Sequence, residues 1–194
     1  MTPTKLQVKL FLEGTAPKLE GFIAVFHDWV KHHRLPEPLI DVANYAHVPK
    51  GPGVALIGND GDYFIDETDG RTGLLYSRKR EAPGPDQRLP DAFRRVLHAA
   101  LLLENTAAFE GKLRFRADEL LFRINDRLAA PSNEATFASL RPELDAFCAK
   151  LFAGTGYKLA LASGPKQLFA VRITSDGKTD LQTLLGRLGG APTA

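Results

Sequence analysis

Apolar and polar residues alternate over the first predicted element of the chain, LQVKLFLE (residues 6–13). A period of two is typical of a strand with one buried face, so this segment predicts a half-buried strand. Residues 18–34 place apolar residues at helical spacing and predict an amphipathic helix. Four further strands are predicted over residues 38–48, 53–58, 62–67 and 73–79, with a hairpin turn at Asn59-Asp60-Gly61-Asp62.

A stretch rich in proline, glycine and charged residues follows, REAPGPDQRLP (residues 80–90), and this composition is typical of a linker. A helix is predicted over residues 91–105. Residues 112–128 predict a strand in which the alternation changes phase near residues 117–119. A phase change of one residue indicates a bulge or a tight turn.

The last predicted elements are a long helix over residues 131–152 and a hairpin over residues 156–174. Ser132 and Asn133 are the two candidates for the N-cap of the helix. Helical spacing continues across Pro142, which predicts one kinked helix rather than two separate ones.

The order of these elements predicts an α+β fold, a mainly antiparallel sheet packed with three main helices. Residues 5–58 and 112–174 both follow the order strand, helix, strand, strand, which suggests two βαββ-type halves. We expect one compact domain with four parts. A first α+β half (residues 1–79) is followed by a linker with a connecting helix (80–111), a second α+β half (112–175) and a weakly ordered C-terminal tail (176–194).

Composition and charge narrow the classes of function. Lys and Arg number 25 against 23 Asp and Glu, so the chain lacks the strong basic excess of most nucleic-acid-binding proteins. No apolar stretch reaches the roughly 20 residues that span a bilayer, and no secretory signal pattern is present, so we expect a cytoplasmic protein. The single cysteine, Cys148, excludes an intramolecular disulfide and is interpreted as a small buried hydrophobe. No cofactor or metal is predicted.

Polar residues with catalytic potential cluster between residues 41 and 78. Asp41, Tyr45 and His47 share one face of the second predicted strand, and Asp62 and Asp66 follow on the next elements. Residues six apart on a strand lie roughly 20 Å apart, so His47 would need a carboxylate from a neighbouring strand or turn. With one, it would act as a general base, and with two it would hold a divalent metal. The competing interpretation is a solvated sheet face.

The corner between two predicted strands, KGPG, has the composition of an anion site. Lys50 supplies charge, Gly51 and Gly53 supply backbone N–H groups, and Arg78 is a further candidate ligand-binding residue. Phosphate-binding loops of the common kinds lead into a helix, however, whereas a strand follows here. A sharp turn between strands is the competing interpretation.

A cationic row on the strand at residues 112–128 is a candidate partner surface. Arg114, Arg116 and Arg123 belong to this row, which suits an acidic partner. Exposed aromatic residues for base stacking are absent from that face, which disfavours single-stranded nucleic acid. A solvated strand face is again the competing interpretation.

The order of elements loosely resembles the vicinal-oxygen-chelate and glyoxalase-like folds, which pair βαβββ modules and draw metal ligands from His and Glu. The opening strands here carry no His, so no activity is inferred from that resemblance. The runs LIDVANYAHVPKGPGVALIG, DYFIDETDGRTGLLYSRKR and NDRLAAPSNEATFASLRPELDAF resemble an uncharacterised bacterial protein family, which implies no activity, cofactor or site.

The sequence therefore predicts a non-enzymatic protein that binds a protein partner or a small ligand, and that forms a homodimer. The alternative is an acid/base or metal-assisted enzyme centred on Asp41, Tyr45 and His47.

Overall fold

The computed structural model describes residues 4–49, 51–80 and 84–192. Its strands are β1 (Leu6–Leu12), β2 (Leu39–Asn44), β3 (Val54–Gly58), β4 (Gly61–Asp66), β5 (Gly73–Arg78), β6 (Phe115–Ile124), β7 (Tyr157–Leu161) and β8 (Phe169–Ser175). Its helices are α1 (Leu19–His32), α2 (Arg88–Glu104), α3 (Glu134–Phe152) and α4 (Leu181–Arg187), with short 3₁₀ turns at Pro85–Gln87 and Ala107–Phe109. The α+β class predicted from the sequence is confirmed.

All eight strands form one sheet in the order β2-β3-β4-β5-β1-β6-β8-β7, and every neighbouring pair is antiparallel. The central strands β1 and β6 open the two halves of the chain. Each leads into a helix that crosses to an outer strand, β2 or β7, and the chain then returns strand by strand towards the centre. Four strands make this return after α1 and two after α3.

The helices pack on one face of the sheet and enclose the main core. Alternate residues of β1 (Leu6, Val8 and Leu10) are fully buried beneath them. Helix α2 lies over β1 and β5, and its Phe93 and Val96 are also fully buried. The helix predicted as a connection is therefore the central element of the core.

Local signals in the sequence explain several element boundaries. The Asn133 side chain accepts the N–H of Thr136 at 2.8 Å and caps α3, whereas Ser132 bonds to Ser163. The pairing of β1 with β6 shifts between Leu10 and Leu12, where a step of two residues along β1 corresponds to a step of five along β6. This shift confirms the predicted phase change.

The C-terminal region forms α4 where the sequence predicts a weakly ordered tail. Leu181, Leu184 and Leu185 are buried against the core, and the Asp180 side chain caps the helix by accepting the Thr183 N–H. The pattern LQTLLGRL is only weakly amphipathic, but α2 and α3 supply the apolar surface against which this short helix is buried.

Among the described residues no helix is long and apolar enough to cross a membrane.

Cys148 lies on the buried side of α3, as its apolar setting predicts. Its side chain is fully buried, and burial raises the pKa of the thiol to about 12. The thiolate is the reactive form of cysteine, so this residue contributes packing rather than chemistry.

A buried ionic network fixes the β3–β4 hairpin to the helix layer. Glu37, between α1 and β2, accepts hydrogen bonds from Arg95 Nη1 at 3.0 Å and from the Tyr63 hydroxyl at 2.8 Å. Its second carboxylate oxygen accepts the backbone N–H groups of Asp60 and Gly61, both at 3.0 Å. The carboxylate is therefore satisfied by groups from α2 and from the β3–β4 hairpin.

Arg95 extends this network along α2. Its guanidinium also bonds to Asp91 at 2.9 Å and to Asp60 at 3.3 Å. Asp91 in turn contacts Arg78, which is almost fully buried at the end of β5. The arginine considered as a ligand-binding residue thus joins the sheet to α2.

Replacement of Glu37 by Gln is expected to lower the free energy of unfolding by about 1.5–3 kcal/mol, because it removes the fully buried carboxylate that accepts from Arg95 and leaves Arg95 with Asp91 and the partly exposed Asp60. Glu110→Gln is the matched control, since Glu110 forms an exposed ion pair with Lys112 and should cost below about 1 kcal/mol. Urea denaturation at pH 7 measures both. Equal effects of the two changes would contradict a structural role for the Glu37 network.

Candidate functional site

The sheet face opposite the helices, termed here the helix-free face, carries an unusual row of residues. Strand register aligns one residue from each of the eight strands across this face: Ala43, Ala55, Phe64, Leu75, Lys9, Leu121, Arg172 and Ala160. Lys9 lies near the middle of the row with a side-chain exposure of 0%. A fully buried ammonium on a face without helices requires both partners and a cover.

The loop between β4 and β5, residues 67–72, provides the cover. Lys9 Nζ donates to Asp66 Oδ2 at 2.8 Å and to Asp69 Oδ1 at 2.5 Å. The Thr68 hydroxyl donates to Asp66 at 2.8 Å, and Arg123 reaches Asp69 from β6 at 3.0 Å. Two carboxylates and two cations therefore hold the loop against β1 and β6.

Arg71 fixes the far end of the same loop. Its guanidinium lies 3.8 Å from the centre of the Phe11 ring and donates two hydrogen bonds to Glu119, at 2.6 and 3.0 Å. Stacking on an aromatic ring and a bidentate carboxylate contact both depend on the planar shape of arginine. Arg71 is thus held in one orientation above the sheet.

A groove of about 490 Å³ lies on the helix-free face between this loop and the β7–β8 loop. We call it the arginine groove. Its apolar floor is Phe11, Leu121 and Ala170, a cluster separate from the main core. The described polar residues that line it are three arginines, one aspartate, two hydroxyl residues and one amide: Arg71, Arg123, Arg172, Asp69, Thr68, Ser163 and Gln167. Its size lies within the range of small-ligand sites.

Glu119 is a single carboxylate surrounded by several arginines. Besides Arg71, this carboxylate contacts Arg116 at 3.0 Å and Arg172 at 3.6 Å. The hydrogen bond from Arg71 lowers the pKa of Glu119, and the charges of the three arginines add to this effect against the opposing influence of burial. Three cations thus share Glu119, although Arg116 also bonds to Asp118.

Asp69 is also held as a carboxylate. Burial by itself raises its pKa, but the hydrogen bond and charge of Lys9, together with the charge of Arg123, outweigh burial and lower the pKa. The two acids whose contacts shape the groove, Asp69 and Glu119, therefore stay ionised at neutral pH.

The residues predicted as an acid/base site do not meet. Strand β2 ends at Asn44, whose side chain accepts the Ala46 N–H at 2.9 Å, and this turn carries Tyr45 and His47 off the strand into solvent. Asp41 Oδ1 accepts the neighbouring Val42 N–H at 2.8 Å. Within the described ranges, His47 forms no hydrogen bond or ion pair with a carboxylate.

The two later aspartates of that prediction have different partners. Asp62 forms an ion pair with Lys79 at 2.7 Å, and Asp66 binds Lys9 beneath the arginine groove. Of the predicted acid/base set, only Asp66 contributes to the charge cluster that supports the groove. Among the described residues, no group of three or more His, Cys, Asp or Glu side chains is placed to hold a metal ion.

The KGPG corner makes the contacts of a turn between strands. Lys50 lies outside the described residues. Gly53 has a φ of 67°, and a Cβ there would approach the Ile65 carbonyl oxygen to 2.2 Å. The Gly53 carbonyl accepts the Tyr45 N–H at 2.7 Å, and Gly51 packs against Val48. Glycine is thus required at position 53 by conformation and by space.

The predicted cationic row is divided among different contacts. Arg114 donates to the Leu113 carbonyl at 2.8 Å, Arg116 bonds to Asp118 at 2.9 Å and Arg123 bonds to Asp69. The shift in β6 pairing lies between Phe115 and Leu120, so Arg116 is within the shifted segment and Arg123 beyond it. Of these three, Arg123 alone lines the arginine groove.

Sequence reasoning did not find most of the groove. Lys9 and Phe11 lie in the first strand, Arg71 in a hairpin turn and Arg172 in the last strand, so only the folded sheet brings them together. The one local signal was Lys9, a charge in an otherwise largely apolar strand.

No family model matches the chain, and no curated protein matches it in sequence.

Acidification should reveal the role of Glu119. Its pKa in the folded protein lies below its ordinary value of 4.5, so the stabilisation from the ionised carboxylate is fully present above pH 4.5 and lost as the pH falls through the folded value. Glu119→Gln should therefore destabilise the protein most at pH 7, and the difference from wild type should shrink as the pH falls below 4.5. Urea denaturation across this range measures it.

Glu67→Gln is the control, because Glu67 is an exposed carboxylate of the same loop whose hydrogen bond comes from the Thr72 hydroxyl. It should have little effect at either pH. A difference between wild type and Glu119→Gln that is the same at pH 7 and at acidic pH would contradict the ionic role of Glu119.

Proposed function

We propose that this protein is a non-enzymatic binding protein, and that the arginine groove takes a small organic ligand with an anionic group beside an apolar part. One observation carries this proposal: arginines from two strands and a loop surround an apolar floor on the helix-free face. An ordinary solvated sheet face would have neither a groove nor a fixed loop above it.

The arginines favour an anionic ligand. Arg172 has 48% of its side chain exposed and is only loosely paired with Glu119 at 3.6 Å. A guanidinium has five N–H donors in a planar fork, which suits carboxylate, sulfonate and phosphate groups. Arg71 is partly exposed next to it, so a ligand anion would meet donors that Glu119 does not saturate.

The floor favours an apolar part in the same ligand. Phe11, Leu121 and Ala170 form a small apolar cluster that none of the described helices covers. Covering such a surface is favourable by roughly 25 cal/mol per Å². Because Lys9 and Arg71 already fix the 67–72 loop, little ordering would remain to oppose binding.

The protonation of the groove favours binding over acid/base chemistry. An efficient general acid or base has a pKa near the working pH, whereas the pKa values of Asp69 and Glu119 are lowered. The alternative enzyme centred on Asp41, Tyr45 and His47 gains no support from the contacts of these residues. A cytoplasmic location and a homodimer stay predictions.

The fluorescent probe 8-anilinonaphthalene-1-sulfonate, which joins a sulfonate to aromatic rings, tests the proposal. We expect it to bind the native protein, and we expect Arg172→Gln to weaken binding by about tenfold, the cost of one charged hydrogen bond. Arg141→Gln is the matched control, because Arg141 is an exposed arginine paired with Asp145 on α3. Fluorescence titration gives both dissociation constants.

The neutral analogue N-phenyl-1-naphthylamine separates charge from apolar contact. Arg172→Gln should leave its affinity unchanged, since it has no anionic group. Equal loss of the two probes, or an equal effect of Arg141→Gln and Arg172→Gln, would contradict an anion site in the arginine groove.

A further inference from the structure

The two edges of the sheet are not equivalent, and the difference lies in their outward backbone groups. On β2, the Tyr45 N–H donates inwards to Gly53. Because N–H directions alternate along an antiparallel pair, the Val42 N–H points away from β3. The Asp41 side chain accepts that N–H at 2.8 Å. Asp41 therefore occupies one of the outward N–H groups of this edge.

The β7 edge has no such side-chain acceptor in the described part of the chain. Inward bonds lie on both sides of the strand, from Ala162 to Ala170 and from Asp176 to Gly156, each at 2.8 Å. Alternation then directs the N–H groups of Tyr157, Leu159 and Leu161 outwards. No side-chain or backbone acceptor for these three groups is present among the described residues.

The side chains of the same three residues leave the main core incomplete at this edge. Tyr157, Leu159 and Leu161 are partly buried and pack against the core on the helix side of the sheet. The two residues between them, Lys158 and Ala160, are exposed on the helix-free face. An added strand would satisfy the outward amides and cover the half-buried row together.

We propose that β7 pairs antiparallel with β7 of a second copy of this chain, about a two-fold axis at Leu159. In this register Leu159 faces Leu159 of the partner subunit, and Tyr157 faces Leu161 of the partner subunit. The three outward N–H groups of each copy then all meet carbonyl acceptors. Lys158 faces Ala160 of the partner subunit, so no like charges stand directly opposite each other.

This pairing also extends the row on the helix-free face. Ala160 is the register partner of Arg172, which lines the arginine groove. The partner's Lys158 would stand beside Ala160 and so add a cation near the open side of the groove. The proposed dimer does not depend on ligand binding, and its tests use the protein alone.

The interface is expected to be weak. A pair of five-residue strands and the adjoining side chains buries less than the roughly 1,200 Å² of a standard interface. We therefore expect a monomer–dimer equilibrium that depends on concentration in the micromolar range, which sedimentation velocity resolves.

Proline substitution at each edge separates β7 from β2. Leu159→Pro removes an outward N–H without breaking the β7–β8 ladder, and edge strands tolerate proline at such positions. Val42→Pro is the matched control, because it removes the outward N–H of a partly buried residue on the other edge. Leu159→Pro should be monomeric at every concentration, and Val42→Pro should dimerise like wild type; circular dichroism verifies that both variants fold.

Charge changes at exposed Ala160 test the register without disturbing the core. Ala160→Glu should lower the dissociation constant several-fold by facing the partner's Lys158, and Ala160→Arg should raise it. The proposal would be overturned by a wild-type monomer at all concentrations, which would leave β7 open to a different strand. Loss of the dimer in Val42→Pro, or equal dissociation constants for both Ala160 variants, would also overturn it.

Discussion

The buried ammonium of Lys9 is the constraint on which the helix-free face depends. It lies on a central strand and contacts Asp66 at 2.8 Å and Asp69 at 2.5 Å. A buried charge without partners is very costly, so the loop that carries Asp69 must stay against β1. Once that loop is fixed, Arg71 lies over Phe11 and one wall of the arginine groove is in place.

The topology explains why the groove lies where it does. Strands β1 and β6 are neighbours at the centre, and each is followed by a helix that crosses to an outer edge. The described helices cover one face of the sheet. The loops at residues 67–72 and 162–168 border the groove on the opposite, helix-free face. The helix side holds its own ionic network at Glu37 and Arg95, which stabilises the hairpin between β3 and β4. Stability and the proposed binding function thus occupy opposite faces of the sheet.

The sequence predicted those features that local physics determines. Alternation in LQVKLFLE, helical spacing in α1 and α3 and the phase change in β6 depend on neighbouring residues, and the structure contains each of them. The α4 helix was not predicted, since its apolar residues become buried only through contacts with α2 and α3. The acid/base prediction assumed that β2 continues to residue 48, whereas the Asn44 turn ends the strand earlier. The groove residues are far apart in the chain, so no spacing rule could have grouped them.

Hydrogen exchange in wild type and Lys9→Met measures the central claim most directly. The backbone N–H groups of Thr68 and Gly70 donate within the loop, to Asp66 at 3.4 Å and to Glu67 at 3.0 Å. If Lys9 fixes this loop, both amides should exchange much faster in Lys9→Met, while the amides of α3 keep wild-type protection. Unchanged protection of Thr68 and Gly70 in the variant would contradict the account.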